Sequence, residues 1–241
     1  DYYAYGFFCP YSEYYIKPQN RKAATQTIYA VTEFTPHHVE TPSTPAPAPI
    51  PAAGVKILAS DGSMYLNAEW DGSRTAAGVV VSDGTHAFVI HPDEESILPP
   101  MTKWSNNITI EIPGVSSITD NTVLQNDFAG KENTAAILAA VTNGTIIDAP
   151  IVQYCTSITF AHGKTGYLPS TGELALAYTM IDDINDCLNT INGDRLDMKF
   201  HSYWSSTQRG YEDAWYWDPN DQCFLVKDKN WDCGVRVVST L

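Results

Sequence analysis

Basic residues are scarce in this chain: 14 lysines and arginines stand against 28 aspartates and glutamates, for a formal charge of −14. That balance argues against a nucleic-acid partner, because binding phosphates needs a clustered basic patch. Long apolar runs are missing as well. No stretch of about 18 consecutive apolar residues occurs, so no membrane-inserted helix is expected. Neither a methionine nor a hydrophobic leader stands at Asp1, so a processed product or an excised fragment is expected. Cysteine is sparse and odd in number, five residues without a C-x-x-C pair, which argues against a zinc site. Cys223 and Cys233 flank a hairpin-like segment; a small disulfide and two half-buried free thiols are both open readings.

The usual signatures of catalysis are also absent. Gly163-Lys164-Thr165 has the end of a phosphate loop, but Ile158 stands where the loop needs its first glycine. There is no H-E-x-x-H, G-x-S-x-G or G-x-G-x-x-G. Adjacent carboxylates occur at Glu94/Glu95, Asp182/Asp183 and Glu212/Asp213, and only the last pair lies among aromatic rings. Neighbours on one strand point to opposite faces, whereas glycosidase carboxylates face each other across a cleft. No enzyme is expected, and no cofactor.

What is present begins with rings. The first fifteen residues, DYYAYGFFCPYSEYY, hold six tyrosines and two phenylalanines, too much apolar surface to stay solvated. Residues 1–35 are therefore read as an aromatic segment for docking or oligomerisation, with a strand over Gln26–Phe34. Six prolines between Pro36 and Pro51 make residues 36–53 a semi-rigid linker; His37 and His38 within it are read as solvated. The remainder, 54–241, has the patterning of one α+β domain. Short apolar runs punctuated by Asp-Gly at Asp61, Asp71 and Asp83 read as strands and hairpins. In THAFVIH, alternation puts His86 on a face with Phe88 and Ile90, and His91 on the other. His91, beside Asp93, Glu94 and Glu95, is read as part of a surface ion pair. ITIEIPG, Ile108 to Gly114, is expected to be a further strand.

Two helices are expected. ENTAAILAAVTNG has Asn133 or Thr134 to cap it and Gly144 to end it. The second begins at the S-x-x-E box of Ser170 and Glu173; Leu174, Tyr178, Ile181, Ile184, Leu188 and Ile191 carry it to Gly193. Asp182, Asp183 and Asp186 on its outer face are read as solvated charge. After Gly193 the helical period is lost, and YWSST, DAWYWD, QCFLVKD and CGVRVV read as successive antiparallel strands.

Residues 203–238 are the most unusual stretch. They hold four of the six tryptophans, interleaved with charges and amides that a core does not tolerate. Stiff amphipathic rings beside short polar groups are the chemistry of binding surfaces. The expected anchors are Tyr211, Trp215, Trp217 and Trp231. Gln208, Arg209, Glu212, Asp213, Asp218, Asn220, Gln222, Lys229 and Asn230 supply the polar specificity. Because Trp215 and Trp217 alternate with Tyr216, either the tryptophans or the tyrosine is core if one face of that strand is buried. Trp204 is expected in the core.

WDGS, GVVVSDGTHAFVI, GKENTAAILAA, YCTSI, TGYLPSTGEL, YWSST, DAWYW and CGVRVV occur in the order found in C-type lectin-like proteins of gut Bacteroides and their phages, and residues 54–241 resemble that family. The resemblance implies a C-type lectin-like fold with two helices and mixed, mainly antiparallel strands. It also implies that YWSST and GVRVV are scaffold and that the residues between them face a ligand. In part of the family, diversity-generating retroelements rewrite that face. Asp218-Pro219-Asn220 and Asn230-Trp231-Asp232 resemble the calcium and sugar motifs of animal C-type lectins, with the second in altered order, which leaves calcium as the one cofactor to consider. The fold is shared with formylglycine-generating oxidases, whose paired cysteines would correspond to Cys223 and Cys233.

The expectation is thus an extracellular recognition module for a cell-surface protein or glycan. It sits at a phage tail, as a homotrimer packed through the N-terminal rings, or on a bacterial surface as an adhesin. A carbohydrate-active enzyme or oxidase, and a structural virion or pilus subunit, are the alternatives.

Overall fold

The computed structural model describes residues 49–93, 102–106 and 109–241. The aromatic segment, the expected strand over 26–34 and most of the linker lie outside them. In chain order the elements are β1 (Gly54–Ala59), β2 (Met64–Tyr65), β3 (Ala76–Ser82), β4 (Ala87–Ile90), β5 (Thr102–Lys103), α1 (Gly130–Thr142), α2 (Pro150–Ser157), α3 (Thr171–Thr179), α4 (Ile181–Thr190), β6 (Tyr203–Arg209), β7 (Asp213–Asp218), β8 (Cys223–Asp228), β9 (Asp232–Cys233) and β10 (Val238–Ser239). Short 3-10 turns at Asn67–Glu69 and Asn121–Asn126 complete them. The protein is α+β, with antiparallel sheets.

A five-stranded sheet, order β10-β4-β3-β1-β2, forms the middle layer. Its strands are continuously apolar because both faces are covered. Ile57, Val79, Val81, Phe88 and Ile90 point one way, against Leu174 and Ala177 of α3 and Ile184, Cys187 and Leu188 of α4. Leu58, Ala77, Val80 and Val89 point the other way, against Ile137 and Ala140 of α1 and Ile151, Val152 and Cys155 of α2. The β3–β4 hairpin turns at Asp83-Gly84, as the sequence implies, and Asp83 accepts the amides of Thr85 and His86 at 2.6 Å. His86 lies flat on Phe128, ring centroids 3.7 Å apart. His91 turns its ring to Phe160, and its Nδ1 meets the Asp93 amide; Glu94 and Glu95, the other expected partners, lie outside the described residues.

A three-stranded sheet, order β6-β7-β8, carries the tryptophan-rich stretch, and β5 pairs with β9. Both cores reach into the three-stranded sheet: Trp204, Ala214 and Tyr216 join the first, Tyr203 and Trp217 the second.

The helices differ from expectation in three ways. The second expected helix is two, α3 and α4, separated at Met180 (φ −116°, ψ 20°), where Thr179 turns its hydroxyl back to the Leu176 carbonyl. A fourth, α2, opens with Pro150 at its first position, where the missing amide costs nothing. Asn133 and Thr134 do not cap α1, which begins at Gly130. They are buried inside it, and they hold the Ser116 amide (2.7 Å) and the Leu168 amide (3.0 Å). Gly144, at φ +77°, ends α1 as expected.

The expected strand of ITIEIPG does not form over its described residues, 109–114. Ile112 is buried, and its amide and carbonyl pair with the Gln208 side chain at 3.0 and 2.8 Å. A side-chain amide occupies the place of a strand partner.

Candidate functional site

The three-stranded sheet turns the expected binding residues in several directions. Trp215 and Trp217 are 5% and 4% exposed, so both faces of β7 are covered and neither the tryptophans nor Tyr216 is free. Trp215 donates its indole N–H to the Ile118 carbonyl at 2.7 Å, Trp217 to the Met198 carbonyl at 2.8 Å. Trp217 also packs between Tyr178 and Phe224. Gln208, Asp218 and Lys229 are buried too. These side chains, expected to face outward, build the scaffold instead, since buried polar atoms must find partners and loops supply them.

Lys229 is the centre of that scaffold. Its ammonium donates to the carbonyls of Gly210 (3.0 Å), Tyr211 (3.1 Å) and Ile110 (3.3 Å) and to Oε1 of Gln208 (3.0 Å). It also lies 4.9 Å from the centroid of the Trp104 ring. Its backbone amide bonds the Glu212 carbonyl (2.8 Å), and its carbonyl takes the Ser105 amide (2.9 Å). One buried cation thus ties together the β6–β7 turn, the β8–β9 turn and the segment before α1. Burial pulls its pKa down to about 8, against the pull of Glu111 and Asp213.

On this tied framework the exposed residues cluster at one end of the sheet. Tyr211 is 64% and Trp231 56% exposed. Arg209 and Glu212 are exposed, while Asp213 and Asn230 are half-buried. Lys227 was not among the expected contacts, yet its ammonium sits between two rings, 4.9 Å from Tyr216 and 5.1 Å from Trp231. Sequence spacing gave no signal of it, because a four-residue interval brings side chains together on a helix and not across a strand end and a turn. Lys227, Asn230, Trp231 and Asp232 line a hollow of about 480 Å³. Asp213 stands directly opposite Asp228 in the β7–β8 register. Burial first, and then the Asp228 carboxylate, raise its pKa. Arg209, 4.0 Å away, offsets this in part.

The other expected contacts are at the far end. Asp218 and Cys223 pair at the opposite limit of the hairpin, about 17 Å from Asp213 at ~3.4 Å per residue. There Asp218 caps the turn: it accepts the Tyr216 hydroxyl (3.0 Å) and the amides of Asn220 (2.9 Å) and Asp221 (3.1 Å). Burial raises its carboxyl, and these donors outweigh that and leave it below the usual range. Asn220 is exposed. Gln222 holds a left-handed backbone (φ 50°) and accepts the Tyr178 hydroxyl. The structure therefore splits the expected surface in two. Cys223 and Cys233 are both free thiols, the first exposed and the second buried, so the disulfide does not form. Burial pushes the Cys233 thiol up to about 11. Asp218 spends its oxygens on the turn, and no cluster of three or more His, Cys, Asp or Glu side chains suited to a metal occurs among the described residues. No helix among them is long and apolar enough to cross a membrane.

The motifs read as scaffold are interior. Tyr203 to Thr207 are buried, as are Arg236, Val237 and Val238. The YWSST and PSTGE stretches meet at Asp127, whose carboxylate accepts the Thr207 hydroxyl (2.7 Å) and whose carbonyl accepts the Ser170 hydroxyl (2.6 Å). Next to it the buried Glu173 closes its side of the expected capping box on the Ser170 amide (2.7 Å) and accepts the Tyr167 hydroxyl (2.6 Å). Gly130 is obligatory here, because a Cβ at that position would lie 2.2 Å from the Glu173 carboxylate.

No family model and no curated protein sequence matches the chain. Among solved structures it is similar to a fimbrial protein from Bacteroides ovatus ATCC 8483, with a TM-score of 0.53 and 16% identity. The match covers 77% of this chain and 48% of that one, so this chain spans about half the length of its neighbour. At that identity the likeness is one of fold.

Proposed function

We propose that this chain is a recognition module of a bacterial surface structure, and that it grips a cell-surface protein or glycan with the end of the three-stranded sheet that carries Tyr211 and Trp231. One observation carries the reading: two large rings stand more than half exposed on turns that the buried Lys229 holds rigid. Exposed aromatics on fixed backbone lose little entropy on binding, which is why such residues become energetic anchors. The domain is read as C-type lectin-like, extracellular and non-enzymatic, and calcium has no part in this grip. The likeness to a fimbrial protein favours the bacterial surface over a phage tail.

The contact set is narrower than the sequence implies: Arg209, Tyr211, Glu212, Asp213, Asn230 and Trp231, with Lys227 added. Any diversification of this face has to spare Gln208, Trp215, Trp217, Asp218 and Lys229, since each is buried and bonded. A screen against arrayed glycans and host surface proteins tests the proposal. Tyr211→Ala and Trp231→Ala are each expected to weaken the ligand found by about tenfold or more, with thermal stability unchanged.

A second reading, a structural fimbrial subunit, draws on the same neighbour. It is favoured if the chain polymerises and the two alanine variants leave cell binding untouched.

A further inference from the structure

Another hollow, of about 360 Å³, lies between the C-terminus of α4 and the turn before β3. Its size falls within the range of small-molecule sites, about 300–1,000 Å³. Trp70, Asp71, Gly72, Arg74, Thr190 and Asn192 line it. None of these belongs to the Tyr211–Trp231 end, and the inference stands apart from the proposal above.

The walls are built. Trp70 is half-buried and meets Tyr65 edge-on, ring centroids 5.6 Å apart. Arg74 lies over Tyr65 at 5.2 Å and directs its Nε to Asp61 at 3.4 Å, so the terminal nitrogens of the guanidinium are the ones left for other partners. Asp71 accepts the Ser73 amide at Oδ1 (2.9 Å), and hydrogen bonds from the Ser73 side chain and amide hold its carboxyl below the usual range. Across the hollow α4 ends in a Schellman turn: the Gly193 amide reaches the Leu188 carbonyl (2.8 Å) and the Asn192 amide the Asn189 carbonyl (3.2 Å). That turn places the Asn192 side chain and Thr190, at the negative end of the helix, on the hollow's wall.

The chemistry selects a ligand class. The cation at the site already has its counter-ion, so neither an anion nor a cation finds a clear excess of opposite charge. Donors and acceptors stand on both walls, the Arg74 guanidinium and Asp71 carboxylate on one and Asn192 and Thr190 on the other, which suits a group that both donates and accepts. A flat indole beside them suits a ring with an apolar face. We propose that this hollow binds one unit of an uncharged polyhydroxylated ring, a pyranose.

The test is titration of the full chain with methyl α-mannopyranoside, methyl β-galactopyranoside and N-acetylglucosamine at millimolar concentration, followed through backbone amide shifts. At least one sugar is expected to move the Gly72 and Asn192 resonances saturably. Arg74→Ala and Asp71→Ala, both on the exposed turn, are expected to weaken that sugar at least tenfold. Trp231→Ala is expected to leave it unchanged, which separates this site from the Tyr211–Trp231 end. The inference is overturned if none of the three sugars shifts these amides, or if the Arg74 and Asp71 variants bind the sugar as the parent does.

Discussion

Glu173 and Lys229 are buried ionisable side chains that act in opposite senses. Burial raises the Glu173 carboxyl to about 7, from an ordinary 4.5, although the Tyr167 hydroxyl and the Ser170 amide and hydroxyl oppose it. The folded state then holds its proton more tightly than the unfolded chain. Its contribution to stability is full below about pH 4.5 and is lost as the pH rises through about 7. Urea midpoints measured across that window are expected to fall for the parent by the equivalent of a few kcal/mol and to stay much flatter for Glu173→Gln. Lys229 works by connection. Lys229→Met leaves Gln208 and three carbonyls without their donor, at an expected cost of about 2–4 kcal/mol in chemical denaturation, and it frees both turns of the recognition end. Neither role was legible in the sequence. Glu173 was visible as half of a capping box, but its burial depends on Gly130, 43 residues away, leaving room where a Cβ would lie 2.2 Å from the carboxylate. Lys229 looked like any exposed lysine of a polar turn, because nothing local says that Trp104 and Gln208 will close over it.

At the scale of elements, the strands whose period matches their burial were legible: β3, β4, β6, β7 and β8 stand where the patterns put them. Burial on both faces was misjudged for β7: between Asp213 and Asp218 the run Ala-Trp-Tyr-Trp has no alternation of polarity, and such alternation is the sequence sign of a free face. The break at Met180 had no sequence signal of glycine or proline. The β7–β8 pairing carries a liability of its own, with Asp213 and Asp228 directly opposed. Like charges at paired positions destabilise a sheet. Asp228→Asn is therefore expected to stabilise the fold by about 0.5 kcal/mol and to lower the pKa of Asp213, followed by carboxyl carbon shifts against pH.

Over the described residues, the fold divides the rings around the three-stranded sheet into two populations. Trp104, Trp204, Trp215 and Trp217 hold the three-stranded sheet to the rest, while Trp231 and Tyr211 remain outside on braced turns. The sequence located the stretch but not this division, because inward and outward rings share one composition. The two ends of the β7–β8 hairpin offer the most direct comparison. Binding of the labelled chain to cells that display its ligand is measured for the parent, for a Tyr211→Ala/Trp231→Ala pair and for an Asn220→Ala/Gln222→Ala pair at the far end. Loss of binding in the first pair alone, with folding intact in both, is the predicted result. Undiminished binding by the Tyr211/Trp231 pair, or loss confined to the Asn220/Gln222 pair, contradicts it.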